Sequence, residues 1–192
     1  MLVSSSAIGY YGAQGDSELA EDHPSGRDFL ADISNAWETE ANNATTHGIR
    51  VVVIRTGIVL AHGGGALASM LLPFKMGVGG PMGSGNQWWS WIHRDDLVAI
   101  CLRAISDNEM VGVYNGTAPH PMRQGDFSTV LGKVLHRPAF LPTPAFALKL
   151  ALGGFSTELL TSKRVMPKRL QEAGFEFQYP ELETALRQAL GR

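Results

Sequence analysis

The feature that most constrains the fold is Ile49–Ile54, a nearly continuous run of β-branched apolar residues. A strand that is apolar throughout, instead of alternating with polar residues, is typical of a parallel sheet covered by helices on both faces. Gly48 stands directly before the run, where it would end a preceding helix. The run therefore predicts a buried parallel strand and, with it, an α/β fold.

Two segments upstream complete a strand–helix–strand unit. Leu2–Ala7 reads as the end of a buried strand, and a glycine-rich loop follows at Gly9–Gly15. Ser25, with Asp28 three residues later, resembles a helix-capping box. Apolar residues then recur at helical spacing: Phe29, Ile33, Trp37, Ala41 and Ala44. This order predicts one right-handed crossover unit.

The rest of the chain divides into two parts. We expect a helix over Ala66–Phe74, a short strand at Trp91–His93, a helix capped by Asp95 or Asp96, and a strand at Val111–Asn115. Beyond Pro119, prolines interrupt short helical patterns, and residues 175–179 suggest one short strand. We therefore predict a sheet domain over residues 1–118 and a small, mainly helical domain over residues 119–192.

Composition narrows the class of protein. The net charge is −2 and the basic residues do not cluster, which argues against nucleic acid as a partner. Cys101 is the only cysteine, so no internal disulfide can form, and a cytoplasmic location is expected. No apolar run approaches the roughly 20 residues of a membrane span, and the histidines lack the spacing of metal ligands. The sequence thus predicts neither a membrane segment nor a metal site.

A dinucleotide-binding glycine turn is not recognisable in the chain. Gly77–Met82 comes nearest to Gly-x-Gly-x-x-Gly, but it lacks the last glycine and follows a predicted helix instead of a strand. Gly80–Gly85 has the glycine spacing of a phosphate-binding loop, yet Asn86 stands where lysine is needed. We therefore expect that the segment that would grip a dinucleotide is not in this sequence.

Several motifs together carry a family resemblance. They are Ser4–Gly12, Arg55–Leu60, Gly64–Leu67, Gly83–Gln87, Trp91–Leu97, Pro167–Leu170, Gly174–Phe175 and Tyr179–Leu182. With these motifs the chain resembles the epimerase family proteins, atypical short-chain dehydrogenase/reductases described as predicted nucleoside-diphosphate-sugar epimerases. The resemblance implies the C-terminal half of a Rossmann-like parallel sheet, NADP as cofactor, and a small C-terminal domain. It also implies a further N-terminal portion, so we expect a fragment, or a chain whose N-terminal half exists elsewhere.

The resemblance implies roles for three residues near the strand ends. Arg55 would contact NADP; its alternative role is a structural ion pair at the sheet edge. Ser5 would contact the reacting oxygen or the cofactor, and otherwise would satisfy loop backbone groups. The superfamily's Tyr-x-x-x-Lys pair is missing, because Phe29 stands where the tyrosine should be. A tyrosine of the loop, Tyr10 or Tyr11, would then have to substitute, or the protein performs no ordinary hydride chemistry and the loop simply packs against the sheet.

Gln87 and Trp89 are the candidate substrate contacts. Nucleotide-sugar enzymes that resemble this chain have an arginine two residues before the aromatic-Ile-His segment, where Trp89 stands. We therefore expect Trp89 to stack on, and Gln87 to orient, an uncharged or weakly anionic small molecule. The alternative is that the tryptophans are core residues under the small domain.

These features support an NADP-dependent oxidoreductase or epimerase-like protein without its dinucleotide-binding segment. The missing tyrosine–lysine pair favours an alternative, a catalytically silent NADP-binding or regulatory protein of the same fold. A third hypothesis is a partner-binding fragment with an exposed sheet edge. An uncovered apolar face would also favour a homo-oligomer or association with the missing half.

The absent glycine turn generates a first prediction. The 192-residue chain by itself should bind NADP with a dissociation constant weaker than about 10 μM, equivalent to about 7 kcal/mol, because the backbone donors for the pyrophosphate are missing. Titration calorimetry measures this directly, and tighter binding would contradict the prediction.

Overall fold

The computed structural model describes the backbone of residues 1–192 and the side chains of all but Ala151, Leu152 and Phe155. The strands are β1 (Leu2–Ala7), β2 (Glu18–Leu19), β3 (Val51–Thr56), β4 (Ile58–Leu60), β5 (Trp88–Trp89), β6 (Trp91–His93), β7 (Gly112–Gly116), β8 (Met122–Arg123) and β9 (Arg164–Val165). The helices are α1 (Phe29–Asn43), α2 (Gly65–Lys75), α3 (Arg94–Ser106), α4 (Gln124–Leu135), α5 (Ala145–Leu152), α6 (Ser156–Leu160), α7 (Lys168–Glu172) and α8 (Leu182–Leu190).

The predicted buried strand is β3, the centre of a parallel sheet of order β1-β3-β7. Its residues alternate between two cores. Val51 and Val53 pack with Ala41 of α1 on one face, whereas Val52 and Ile54 pack on the other face in a cluster that includes α3 residues. Because both faces are covered, the strand is apolar from Val51 to Ile54, and its polar residues come only at the carboxyl end. The α/β parallel-sheet prediction is confirmed.

The smaller strands extend this framework toward the C-terminal segment. The strand β4 pairs in parallel with β6, and β2 pairs in parallel with β9. The strand β5 pairs antiparallel with β8. The β2–β9 and β5–β8 pairings each join a segment before residue 90 to a segment beyond residue 120, so they attach the C-terminal segment to the sheet domain.

Helix α1 begins one residue after Asp28, whose carboxylate accepts a hydrogen bond from the Ala31 amide at 2.9 Å. The N-cap is therefore Asp28, and the prediction that Ser25 and Asp28 form a capping box was wrong. At the other end, α1 passes into a 3-10 turn, Ala44–His47, which Gly48 closes with a φ of 70°. That left-handed conformation suits glycine, which confirms the predicted role of Gly48.

The apolar stripe that the spacing identifies on α1 is only partly its buried face. Phe29 and Trp37 are 75% and 57% exposed, and the buried face consists of Ala31, Ser34, Glu38 and Ala41. Small side chains let the helix approach the sheet closely, and the charged residue among them, Glu38, pairs with the buried Arg55. Spacing alone found the helix but not the whole of its buried face.

Helix α3 is capped by a residue that the sequence did not single out for that role. The Nδ1 atom of His93 accepts a hydrogen bond from the Asp95 amide at 3.1 Å. Asp96 is fully buried and accepts hydrogen bonds from the amides of Gln178 and Tyr179, at 2.7 and 3.0 Å. Neither Asp95 nor Asp96 is thus the cap, and residues 175–179 form no strand because Asp96 holds their backbone instead.

The C-terminal helices pack on residues of the sheet domain. Trp89 and Trp91 lie in one hydrophobic core with Phe127 of α4 and Leu186 of α8. A core shared in this way does not mark a boundary near residue 118, and the predicted division into two domains stays a prediction. Among the described residues, none of the helices is long and apolar enough to cross a membrane.

The opposite surroundings of two phenylalanines generate a prediction. Phe29→Ala should change the free energy of unfolding by less than about 0.5 kcal/mol, as exposed sites usually do. Phe127→Ala removes the same atoms from a fully buried site and should cost about 3–5 kcal/mol. Chemical denaturation measures both free energies of unfolding, and equal losses would contradict the outward orientation of Phe29 on α1. A melting temperature that rises with protein concentration would show that self-association covers the α1 face.

Candidate functional site

The carboxyl end of β3 carries a buried ion pair. The Arg55 guanidinium is 3% exposed and meets the Glu38 carboxylate of α1 through two bonds, Nε to Oε1 and Nη2 to Oε2, both 2.9 Å long. This two-pronged geometry compensates the cost of removing both charges from water. The alternative predicted for Arg55, a structural ion pair at the sheet edge, is present.

The pair belongs to a larger hydrogen-bond network. Ser6 Oγ donates to Glu38 Oε1 at 2.7 Å, and Arg55 Nη1 donates to the Tyr11 hydroxyl at 2.9 Å. That hydroxyl in turn donates to Asn115 Oδ1 at 2.7 Å. The network therefore joins β1, the turn after it, α1, β3 and β7 at the carboxyl edge of the sheet, where ligands of open α/β sheets bind.

Burial and charge act in opposite directions on the network's pKa values. Burial raises the pKa of Tyr11 to about 12, although the Arg55 charge and hydrogen bond pull it downward. Burial by itself lowers the pKa of Arg55, but its bonds to Glu38 and Tyr11 outweigh that effect and hold the pKa above its ordinary value. Tyr11 thus stays neutral and Arg55 stays charged near neutral pH.

A second carboxylate ties the network to the C-terminal segment. Glu21 Oε1 accepts a hydrogen bond from the Asn115 amide at 3.0 Å, and both Glu21 carboxylate oxygens lie 3.3 Å from the Arg169 amide nitrogen. Asn115 Nδ2 donates to the Met166 carbonyl at 2.9 Å. Burial is the main cause that raises the pKa of Glu21. The tail is therefore fixed to the strand ends by polar contacts as well as by the hydrophobic core.

The predicted residues fall into separate groups. Arg55 and Tyr11 lie together, but both are almost completely buried and bonded internally. Ser5 pairs with Ile54 in the sheet and faces away from them, at a cavity of about 140 Å³ that Thr56 and Cys101 also line. Ser6, its neighbour, is the serine that joins the Arg55 network, so Ser5 and Arg55 lie on opposite faces of the sheet.

Gln87 and Trp89 form a second group. Both donate to the Leu159 carbonyl, Gln87 Nε2 at 3.2 Å and Trp89 Nε1 at 3.0 Å. The Trp89 ring is 2% exposed and packs edge-on against Phe127, with ring centres 5.2 Å apart. The structure therefore gives Trp89 the core position of the alternative hypothesis, and no open face for stacking. Substrate contact by Gln87 stays a prediction.

A polar cavity of about 530 Å³ opens beside this second group. It is lined by Gly15, Asp16, Ser84, Asn86, Gln87, Arg123 and Ser162. Arg123 donates from Nη1 to Asp16 Oδ1 at 2.7 Å and to the Asn86 carbonyl. The loops that border the cavity include parts of the two glycine-rich segments, as expected for a substrate crevice.

Sequence reasoning missed Glu38, Asn115 and Arg123. Glu38 carries a recoverable signal, because it stands among small residues at helical spacing, Ala31, Ser34 and Ala41, which is the pattern of a helix face close to a sheet. Asn115 and Arg123 have no such local signal. Their partners, Tyr11 and Asp16, are more than 100 positions away in the chain.

The chain matches known proteins over nearly all of its length. Residues 143–189 match a family described as "Domain of unknown function (DUF1731)". The chain is 48% identical to the chloroplastic epimerase family protein SDR39U1 homolog of Arabidopsis thaliana, over 97% of this chain and 54% of that protein. It is 43% identical to the epimerase family protein SSP1921 of Staphylococcus saprophyticus, over 97% of this chain and 63% of that protein.

A solved structure agrees with the fold. The human epimerase family protein SDR39U1 with NADPH has a TM-score of 0.90 at 35% identity, covering 99% of this chain and 65% of that one. A UDP-glucose 4-epimerase from Thermus thermophilus, at 16% identity and a TM-score of 0.74, shares the fold alone. The chain thus spans between about half and two thirds of the length of the proteins that it matches.

The buried pair generates a prediction about stability. Glu38→Gln leaves the Arg55 charge buried without a counter-ion and should lower the free energy of unfolding by about 3–5 kcal/mol. Glu40→Gln, on the exposed side of the same helix, should change it by less than about 0.5 kcal/mol. Because paired apolar replacement of a buried ion pair is often tolerated, Glu38→Leu combined with Arg55→Met should recover most of the loss. Denaturant titration measures all three variants, and equal effects of the two glutamate changes would refute a stabilising role for the pair.

Proposed function

Because this chain belongs to the epimerase family proteins of the short-chain dehydrogenase/reductase superfamily, we propose that it forms the substrate side of an NADP(H)-dependent, epimerase-like oxidoreductase. The observation that carries the proposal is the agreement with the human protein, whose structure holds NADPH, over 99% of this chain. In the proposed protein, NADP(H) supplies or accepts a hydride, and residues of this chain hold the small-molecule substrate.

The residues present fit only part of a dinucleotide. Ser5 and Thr56 offer hydroxyl groups beside the ends of neighbouring strands, whereas the chain has no glycine turn to bind a pyrophosphate. We propose that the pyrophosphate is bound by the part of the relatives' length that this chain does not cover, and that Ser5 contacts the cofactor from the sheet edge.

The role of Arg55 at the cofactor is a narrower proposal. Its guanidinium already donates to Glu38, Tyr11 and the Glu21 carbonyl, so contact with NADP requires that one of these partners be exchanged. Without that exchange, Arg55 acts as a positioning residue that fixes the ends of β1 and β3.

One observation favours the alternative, an NADP-binding protein that performs no hydride chemistry. Tyr11 is fully buried, and its raised pKa makes it a poor proton donor and a poor base near neutral pH. Phe29, which stands in place of the superfamily's tyrosine, has no ionisable group. A protein of this kind would keep the binding edge of the sheet and lack the ordinary proton-transfer pair.

The cellular location of the protein is also a proposal. The single cysteine suits a reducing compartment such as the cytoplasm. One relative is described as chloroplastic, and the stroma would meet the same chemical requirement. Imaging of the complete protein with a fluorescent tag distinguishes the two.

Two serines one residue apart test the proposed cofactor edge. In the complete protein, Ser5→Ala should weaken NADPH binding by roughly 3- to 10-fold, the scale of one hydrogen bond. Ser4→Ala makes the same change on the opposite, buried face of β1 and should leave NADPH affinity unchanged. Fluorescence titration with NADPH reports both affinities, and a complete protein that does not bind NADPH would refute the proposal.

Tyr11→Phe tests whether this tyrosine transfers a proton in the complete protein. The change removes one buried hydroxyl and should cost about 1–3 kcal/mol of stability. An enzyme that uses Tyr11 for proton transfer would also lose turnover, whereas the structural role predicts unchanged NADPH oxidation at a temperature well below the melting point.

A further inference from the structure

The polar cavity between the two glycine-rich loops contains an unusual arrangement of charge. Arg123, at the end of β8, has a side chain 33% exposed, and its guanidinium lies 4.2 Å from the centre of the Trp88 ring. Arg164 lies 4.6 Å from the same ring centre and pairs with Glu18 at 2.9 Å. Two guanidinium groups therefore flank Trp88, whose indole N–H donates to a residue of the cavity lining, Asp16.

One carboxylate, that of Asp16, accepts hydrogen bonds from both Arg123 and Trp88. Asp16 Oδ1 accepts a hydrogen bond from Arg123 Nη1 at 2.7 Å and from Trp88 Nε1 at 3.1 Å. Its side chain is nevertheless 73% exposed, and it stands in the loop that follows Gly15. Asp16 is therefore held by its two donors and not by packing, so its carboxylate can leave at little cost to the fold.

Converging N–H donors of this kind bind oxyanions in general. A guanidinium group recognises carboxylate and phosphate oxygens, and an indole N–H adds a fixed second donor. The loop hydroxyls of Ser84 and Ser162 line the same cavity. Arg123 therefore supplies a positive charge at this cavity although position 89 carries none, which removes the reason to expect a weakly anionic substrate.

We propose that the cavity binds an oxyanion group, a phosphate or a carboxylate of the small-molecule substrate, through Arg123 and Trp88, and that Asp16 occupies this position until the anion displaces it. The proposal rests on the proposed function, because it names the substrate class of the same site. Asp16 then acts as an internal competitor, so removing its charge strengthens anion binding, whereas removing the Arg123 charge weakens it. Opposite effects from two residues in direct contact are not expected of a merely structural ion pair.

The experiment follows the Trp88 indole N–H signal in the NMR spectrum of the 192-residue chain, identified by its loss in Trp88→Phe. Pyrophosphate and malonate are added at constant ionic strength, with chloride as the reference anion. We expect a saturable shift with pyrophosphate or malonate and none with chloride, and the stronger of the two identifies the phosphate or the carboxylate. A shift that follows ionic strength alone would overturn the proposal.

Three variants make the result specific. Arg123→Gln should weaken binding by about tenfold or more, the scale of a lost charge-assisted hydrogen bond, and Asp16→Asn should strengthen it several-fold. Arg137→Gln, which neutralises an exposed arginine beyond the end of α4, should have no effect. Weaker binding by Asp16→Asn, or equal losses in the two arginine variants, would overturn the proposal; if Arg123→Gln does not fold, Asp16→Asn alone decides.

NADPH binding by the complete protein separates this inference from the proposed function. If pyrophosphate or malonate binds as described and NADPH does not, the oxyanion site stands and the NADP-dependent function falls. If NADPH binds and Arg123→Gln leaves both anions unaffected, the function stands and the oxyanion site falls.

Discussion

The structure depends on the buried ion pair between Arg55 and Glu38. Its two bonds connect the central strand to the helix that covers one face of the sheet, and further bonds reach Ser6 and Tyr11. Each charge in a buried pair is costly without the other, so the pair fixes how α1 sits on the sheet. Consequently the small face of α1 lies inward, and its large apolar residues lie outward.

The same network connects the carboxyl ends of the strands to each other and to the C-terminal segment. Tyr11 links Arg55 to Asn115, and Asn115 links the strands to Glu21 and to the Met166 carbonyl. Each polar side chain in this hydrogen-bond network has a partner within the protein, which is how buried polar networks contribute to a unique structure. A network of this kind positions the strand ends but leaves few donors for a ligand. Groups that face solvent or a cavity, such as Ser5 and Arg123, are better suited to binding.

In this chain the outer face of α1 is exposed and β1 is an edge strand of the sheet. Phe29 and Trp37 are too large and too exposed for an ordinary solvent-facing stripe. The chain spans only 54% to 63% of the length of the relatives compared, and an additional segment or a second copy would bury such a face. This observation fits the expectation of a homo-oligomer or of a missing half, which stays a prediction.

The sequence by itself determined the elements whose signals are local. The β-branched run fixed β3 as a buried parallel strand, Gly48 marked the end of the helical segment, and the motifs indicated the resemblance to the epimerase family proteins. Tertiary structure alone decided which face of α1 is buried, that Trp89 is a core residue, and that Ser6 rather than Ser5 joins the Arg55–Glu38 network. Those outcomes depend on partners more than 15 positions away in the chain, such as Glu38 for Arg55 and Leu159 for Trp89. Hydrophobic spacing records that a helix or strand is amphipathic, but which side is inside is set by the charges and small residues that meet across the fold.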